Sequence, residues 1–368
     1  MKLICLQENI KDSLLILERI ASKNQNLPML NNIILKTEKG FLKTFATDLE
    51  IGVEINIPCK IEKDGEVVVP IKTISQFIGN LPNTKINIEE KNNKIIIEAD
   101  GIKTIIPISN KEEFPIIPKI KKENIIKINP NVLKNGIAQV LNSVAVSHPI
   151  QEILGVLFVV GDGFLKIIST DSFRLSEKTI YQKNNYTATS ISSQIFILPQ
   201  KTAQELVRII NQTEDVEIII ESSQILFVLK NINLISRLIS GNYPNYEQII
   251  PKKTDSTILL DKNELMLKIK LASLFSSKIN DVKLILNKDK KILELKSSDQ
   301  HKGEFSTNIN TEIKGEEFEL VFNYKYILDG LVNISDDNIV FEFNKPPLPS
   351  IIRPQNNNYK YIIMPIKT

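Results

Sequence analysis

Three lysines recur at one place in the chain. Lys72, Lys201 and Lys325 follow three strand-to-helix starts, VVVPIKTISQFI from Val67, FILPQKTAQELV from Phe196 and LVFNYKYILDGL from Leu320. A lysine in the first helical turn opposes the helix dipole at a cost of a few tenths of a kcal/mol. Taken singly, each reads as a solvated side chain. Three at equivalent positions favour an anionic partner, and Arg208, with Lys11 and Arg19 on the first helix, extends such a surface. Asp48, Asp171 and Asp299 recur in the same way at strand ends, where carboxylates serve as metal ligands or acid–base groups. One per repeat cannot make a single site unless the repeats converge, and aspartate after a strand is an ordinary turn former. The turn reading is preferred.

Other chemistry is sparse. There is no glycine-rich phosphate loop, no Gly-x-Ser-x-Gly and no paired metal motif. His148 precedes Pro149 in a loop and His301 lies in a polar turn, neither with a Ser or Cys partner for nucleophilic catalysis. Two cysteines, Cys5 and Cys59, make no disulfide framework. The expectation is a non-enzyme with no catalytic residue, metal or cofactor.

The elements that position these residues also repeat. KGFLKTFATD, DGFLKIISTD and KKILELKSSD align without gaps and end at the three aspartates. Pro70, Pro199 and Asn323 open the lysine-bearing helices, with proline placed in the first turn, where its missing N–H removes nothing. A further strand, an Asn- or Asp-rich cap and an amphipathic helix open each repeat, as in ICLQENIKDSLLILERIAS. Ile10, Leu14, Leu17 and Ile20 trace one face of that helix, with Leu15 beside it. Tandem landmarks in one order predict three domains of roughly 120–130 residues. They span 1–123, 124–254 and 255–368, with boundaries near Lys121–Glu123 and Lys252–Asp255. Strand-like Ile, Val and Phe runs divided by turn pairs give an α+β class, two helices on antiparallel sheet in each domain.

The chain has 368 residues, 42 % apolar and 24 % charged, enough for real cores. Basic and acidic residues number 46 and 43, net +3, so nucleic-acid binding would rest on charge distribution rather than on total charge. The Ile runs are too short to span a membrane, which takes about 20 apolar residues, and the N-terminal apolar stretch is broken by Gln7 and Glu8. A soluble, cytoplasmic protein without membrane contact is expected.

The triplication, LPMLNNIIL, ATDLE, STDSFRL, SGNYPNYEQIIP and the terminal YIIMPIKT together resemble the bacterial sliding clamps, the β subunits of DNA polymerase III. The resemblance spans the chain. It implies the DNA-clamp fold and a head-to-tail homodimer forming a pseudo-sixfold ring around double-stranded DNA, bound without sequence preference. It implies Lys72, Lys201, Arg208 and Lys325 as DNA-facing, and Ile106, Leu274 and Phe275 at the dimer interface. A hydrophobic peptide pocket would comprise Thr170, Ser172, Phe173, Arg174, Leu175, Pro244, Ile249, Ile362, Met364, Pro365 and Ile366. Its implied partners are the DNA polymerase III catalytic subunit, the clamp loader and other proteins bearing a clamp-binding motif. The loop Ser147 to Gly155 lacks the aromatic and basic residues that touch DNA in some relatives, and Asn24 replaces a basic residue. Thr104 stands where a large aromatic is known, which keeps open a monomeric β-rich adaptor. A nucleic-acid-processing enzyme ranks last.

Overall fold

The structure is a computed structural model. It describes residues 1–21, 27–115, 120, 125–183, 185–188, 193–211, 213–356 and 358–367. Asn24 and the expected boundary at Lys121–Glu123 lie outside these. Six helices are described: α1 (Gln7–Ile20), α2 (Ile71–Gly79), α3 (Pro130–Leu141), α4 (Gln200–Ile209), α5 (Lys262–Ser273) and α6 (Tyr324–Val332).

The chain folds as two compact units. The first comprises Met1–Pro130, Tyr186–Ser190 and Ile209–Leu238. In it, a five-stranded antiparallel sheet runs Lys60–Lys63, Lys2–Leu6, Lys85–Lys91, Lys94–Ala99, Ile102–Pro107. A nine-stranded sheet runs Tyr186–Ala188, Ile125–Ile128, Val216–Ile220, Gln224–Val228, Ile232–Arg237, Ile51–Pro58, Phe41–Thr47, Asn32–Glu38, Glu66–Pro70. The helices α1 and α2 pack on each other and against these strands. As the periodicity demands, Ile10, Leu14, Leu17 and Ile20 are fully buried, while Leu15 stays exposed.

The second unit comprises Asn131–Asn185, Ile191–Arg208 and Ile239–Thr368. Its nine-stranded antiparallel sheet runs Gln194–Pro199, Gly155–Gly161, Phe164–Thr170, Arg174–Tyr181, Tyr359–Ile363, Ser350–Pro354, Asn338–Phe343, Ser256–Asp261, Lys314–Gly315. A four-stranded sheet runs Gly303–Asn310, Ile292–Asp299, Asp281–Asn287, Glu319–Asn323. Here α5 packs on α6 over a core containing Phe322, Phe341, Phe343, Tyr359 and Tyr361.

The two nine-stranded sheets are built alike, each joining four strands of one repeat to strands of the next, so the repeats and the compact units do not coincide. In the first unit Ile51 pairs with Ser236, Gly52 with Ile235 and Val53 with Leu234. In the second unit Arg174 pairs with Ile363, Leu175 with Ile362 and Ser176 with Tyr361. Counted from Thr47 and Thr170, the two junctions have the same register.

The helix starts differ in detail from the sequence expectation. Pro70 and Pro199 are not in the first turn. Each ends the outermost strand of its sheet, and helices begin at Ile71 and Gln200. An outer strand does not need the N–H that proline lacks. Asn323 does cap α6, its side chain accepting the Lys325 N–H, and Asp261 caps α5 through Glu264. By contrast α1 starts after Leu6 with no side-chain cap.

Gly330 faces the buried Tyr361 ring, and a Cβ there would lie 2.5 Å from it. Alanine favours a helix interior by about 1 kcal/mol over glycine, but overpacking a filled core costs about 1–3 kcal/mol. Gly330→Ala is therefore expected to lower stability. A denaturant midpoint at or above that of the parent would refute this packing argument.

Candidate functional site: a recurring Thr-Asp loop and an apolar rim

Each strand ending in an aspartate turns through the same hydrogen bonds. In the first repeat Asp48 Oδ1 accepts the N–H groups of Glu50 and Ile51 at 3.0 and 2.7 Å, and the Thr47 hydroxyl donates to Ile51 O at 2.8 Å. In the second, Asp171 Oδ1 accepts from Phe173 and Arg174 N–H, both at 3.0 Å, and the Thr170 hydroxyl donates to Arg174 O at 2.7 Å. Leu49 and Ser172 occupy the same left-handed position, φ 77° and 75°. In the third, Asp299 Oδ1 accepts from His301 and Lys302 N–H. The His301 N–H holds the Asp299 carboxyl below its ordinary range. That contribution to stability is present above the unfolded carboxylate range and is lost as pH falls through the folded value. The three aspartates are thus turn formers, each spending Oδ1 on its own backbone. His148 Nδ1 likewise accepts the Ile150 N–H. Among the described residues, no three His, Cys, Asp or Glu side chains are grouped to hold a metal ion.

The Thr170–Arg174 loop is where the expected pocket residues meet. The strand Arg174–Tyr181 pairs with Tyr359–Ile363, and beyond it the Met364 N–H donates to Phe173 O at 2.9 Å. The Ile366 N–H donates to Val321 O at 2.7 Å. The first bond sets Met364 beside Phe173, and the second ties Ile366, two residues on, to the strand Glu319–Asn323. Strand alternation then divides the set. Leu175 and Ile362 point to one face and are buried in a small core with Leu157, Ile168, Tyr246 and Ile351, against which Tyr243 and Ile250 pack. Pro244 and Ile249 belong to this covering segment, Pro244 half-buried and Ile249 exposed. Phe173 is 60 % exposed.

Arg174 packs differently. Its Nε donates to Asp171 Oδ2 at 2.9 Å, its Nη1 to Asp329, and its guanidinium lies 4.4 Å over the Tyr326 ring. Burial opposes its charge, but Tyr361, Asp329 and Asp171 outweigh it and raise the pKa. With a side chain only 12 % exposed, Arg174 is a fixed strut between the loop and α6. Sequence reasoning missed Tyr243 and Tyr246, although both lie in the quoted SGNYPNYEQIIP. It also missed Tyr326 and Asp329, for which no local signal exists.

Lys72, Lys201 and Lys325 each occupy the second position of α2, α4 and α6, and all three are exposed. Arg208 is exposed near the end of α4 and pairs with Glu205. It lines, with Arg174, Asp329 and Val146, a depression of about 480 Å³. Of the expected interface residues, Leu274 is 63 % exposed, and Phe275 stacks on Phe305 with centroids 5.8 Å apart. Ile106 is 2 % exposed, buried by its own unit, whereas Ile102 and Ile105 on the same strand are exposed.

Models of the DNA polymerase III beta subunit match nearly the whole chain: the N-terminal domain over residues 1–118, the central domain over 127–245 and the C-terminal domain over 247–367. A beta sliding clamp from Synechococcus elongatus is 25 % identical over 375 residues, covering 100 % of this chain and 99 % of the relative. One from Staphylococcus epidermidis is 26 % identical over 359 residues, 94 % of each. The crystal structure of a DNA polymerase sliding clamp from Bacillus subtilis superposes with a TM-score of 0.95 at 27 % identity, covering 100 % of this chain and 99 % of that one. A sliding clamp from Pseudomonas aeruginosa bound to griselimycin gives 0.93 at 22 %, with both chains fully covered.

The loop geometry makes a separable claim. Asp171→Ala removes the acceptor for two backbone N–H groups and a partner of a part-buried guanidinium, and is expected to cost about 1–3 kcal/mol. Asp171→Asn retains an oxygen acceptor and is expected to cost less. Equal losses for the two variants in urea unfolding would show that the turn bonds are not what Asp171 supplies.

Proposed function

This chain belongs to the DNA polymerase III beta-subunit family, and from that premise we propose how its residues serve a DNA sliding clamp. The clamp is a processivity subunit of a replicative polymerase, not the enzyme that makes the bonds. Two copies close head to tail into a ring around duplex DNA, with three domains per copy bounded at 123/124 and 254/255.

One observation carries the closure. Each internal junction pairs the last strand of one sheet half with the first strand of another in a single register. Among the described residues two such halves end without a further strand: Ile102–Pro107 closes one side of the five-stranded sheet, and Gly303–Asn310 one side of the four-stranded sheet. An open strand is a template for a further chain. Carrying the internal register across, Ile106 of one copy faces Gly303 of its partner, Ile105 faces Glu304 and Thr104 faces Phe305. Ile102, Ile105, Leu274 and Phe275 supply the apolar contacts around this seam, with Ile106 supporting its strand from beneath. Heterologous contacts of this kind form a ring when the rotation closes.

Lys72, Lys201, Lys325 and Arg208 face the phosphates. Such contacts carry no base information, and topology rather than affinity retains the ring. On the other surface, Phe173, Pro244, Ile249, Met364, Pro365 and Ile366 form an adaptable apolar rim over a floor of Leu175 and Ile362. Thr170 and Ser172 shape the loop and Arg174 braces it. This rim receives short apolar peptides of the polymerase, the clamp loader and other partners, in the cytoplasm.

Light scattering at low micromolar protein is expected to give twice the chain mass of 41.8 kDa, and Ile105→Asp is expected to give folded monomer. A parent mass of one chain would instead favour the monomeric adaptor. Met364→Ala is expected to weaken a clamp-binding peptide about tenfold, since truncating an interface anchor costs 1 kcal/mol or more, with unfolding unchanged. Leu175→Ala should instead lose stability, by about 2–5 kcal/mol. Normal peptide binding by Met364→Ala would remove the rim assignment. On circular DNA, replacing one phosphate-contacting lysine should reduce the slope of log affinity against log salt by about 1.

A further inference from the structure

The two cysteines lie in the first unit on neighbouring strands. Leu3 pairs with Ile61 and Ile4 with Lys60, so one further step of this antiparallel register sets Cys5 opposite Cys59. The Cys59 N–H is engaged elsewhere, donating to Gly40 O at 3.1 Å. A pair not joined by its own backbone bond brings Cα atoms to about 4.5 Å, within the span a disulfide bridges. Opposed residues on antiparallel strands also share a face. Both side chains are free thiols.

From this register we propose that Cys5 and Cys59 are a reversible disulfide pair, a cross-strand staple that closes under oxidation. Cys59 marks the corner where the chain leaves Ile51–Pro58 of the nine-stranded sheet and enters Lys60–Lys63, the outermost strand of the five-stranded sheet. The bond ties that corner to Lys2–Leu6. Cys59 is half-buried and Cys5 buried, which orders the steps. The Cys59 thiolate attacks one sulfur of a low-molecular-weight disulfide such as oxidised glutathione and releases one thiol. The Cys5 thiolate then attacks Cys59 Sγ and releases the second. The pair loses two protons and two electrons, and the oxidant is reduced to two thiols. Burial pushes the Cys5 thiol up to about 12, with Cys59 adding to it, and burial also raises Cys59. Thiols held protonated are poor nucleophiles, so the staple closes slowly and stays open under reducing conditions.

The test treats the full native chain with oxidised glutathione, blocks remaining thiols and maps peptides without reduction. The expected result is loss of both thiols together, a mass lower by two hydrogens, the Cys5 and Cys59 peptides joined within one chain, and recovery of both thiols with dithiothreitol. Cys5→Ser is expected to retain glutathione on Cys59. Parent protein that carries glutathione on Cys59 beside a free Cys5, that links only between chains, or that keeps both thiols would overturn the proposal.

Discussion

An antiparallel sheet cannot stop without leaving a row of N–H and C=O groups unsatisfied, and this architecture follows from that constraint. Each repeat carries two half-sheets, and neither half is complete alone. Within the chain, Ile51–Pro58 is satisfied by Ile232–Arg237, and Arg174–Tyr181 by Tyr359–Ile363. The register is the same because the loops setting it are the same, Thr47-Asp48 and Thr170-Asp171 making matching hydrogen bonds to their own backbones. In the proposed dimer the remaining half-sheets, ending at Ile102–Pro107 and Gly303–Asn310, would meet the same demand through a second copy.

One local motif has been put to different uses around this scaffold. In the first repeat, Leu49 takes the left-handed position that Ser172 takes in the second. In the second repeat the loop presents Phe173 to solvent and fixes Arg174 between Asp171 and Asp329. In the third repeat Asp299 supports the turn into the open strand Gly303–Asn310. The fold therefore supplies a rigid elbow three times, and the residue after the elbow decides what it offers. Site chemistry here is a matter of side-chain choice on a repeated backbone.

Much of this was legible in the sequence, for identifiable reasons. The helical face of Ile10, Leu14, Leu17 and Ile20, the strands within the Ile runs, the lysine in the first turn of three helices and the turn role of the aspartates all rest on spacings of a few residues. What stayed hidden rests on distant contacts. Asp329 meets Arg174 across 155 positions, and no pattern in α6 announces it. The burial of Ile106, on the strand that leaves Ile102 and Ile105 exposed, depends on its neighbours rather than on residue type. The prolines were misplaced by one residue because a strand end and a helix start share that corner.

The matched junctions also set where concentration enters. Two of the half-sheet pairings are held within one covalent chain, where linkage supplies an effective concentration far above that of free subunits. The pairing between Ile102–Pro107 and Gly303–Asn310 has no such tether. In the proposed ring, dilution and any opening force act on that seam alone, so a repeated joint of uniform geometry acquires a single, mass-action-controlled gate.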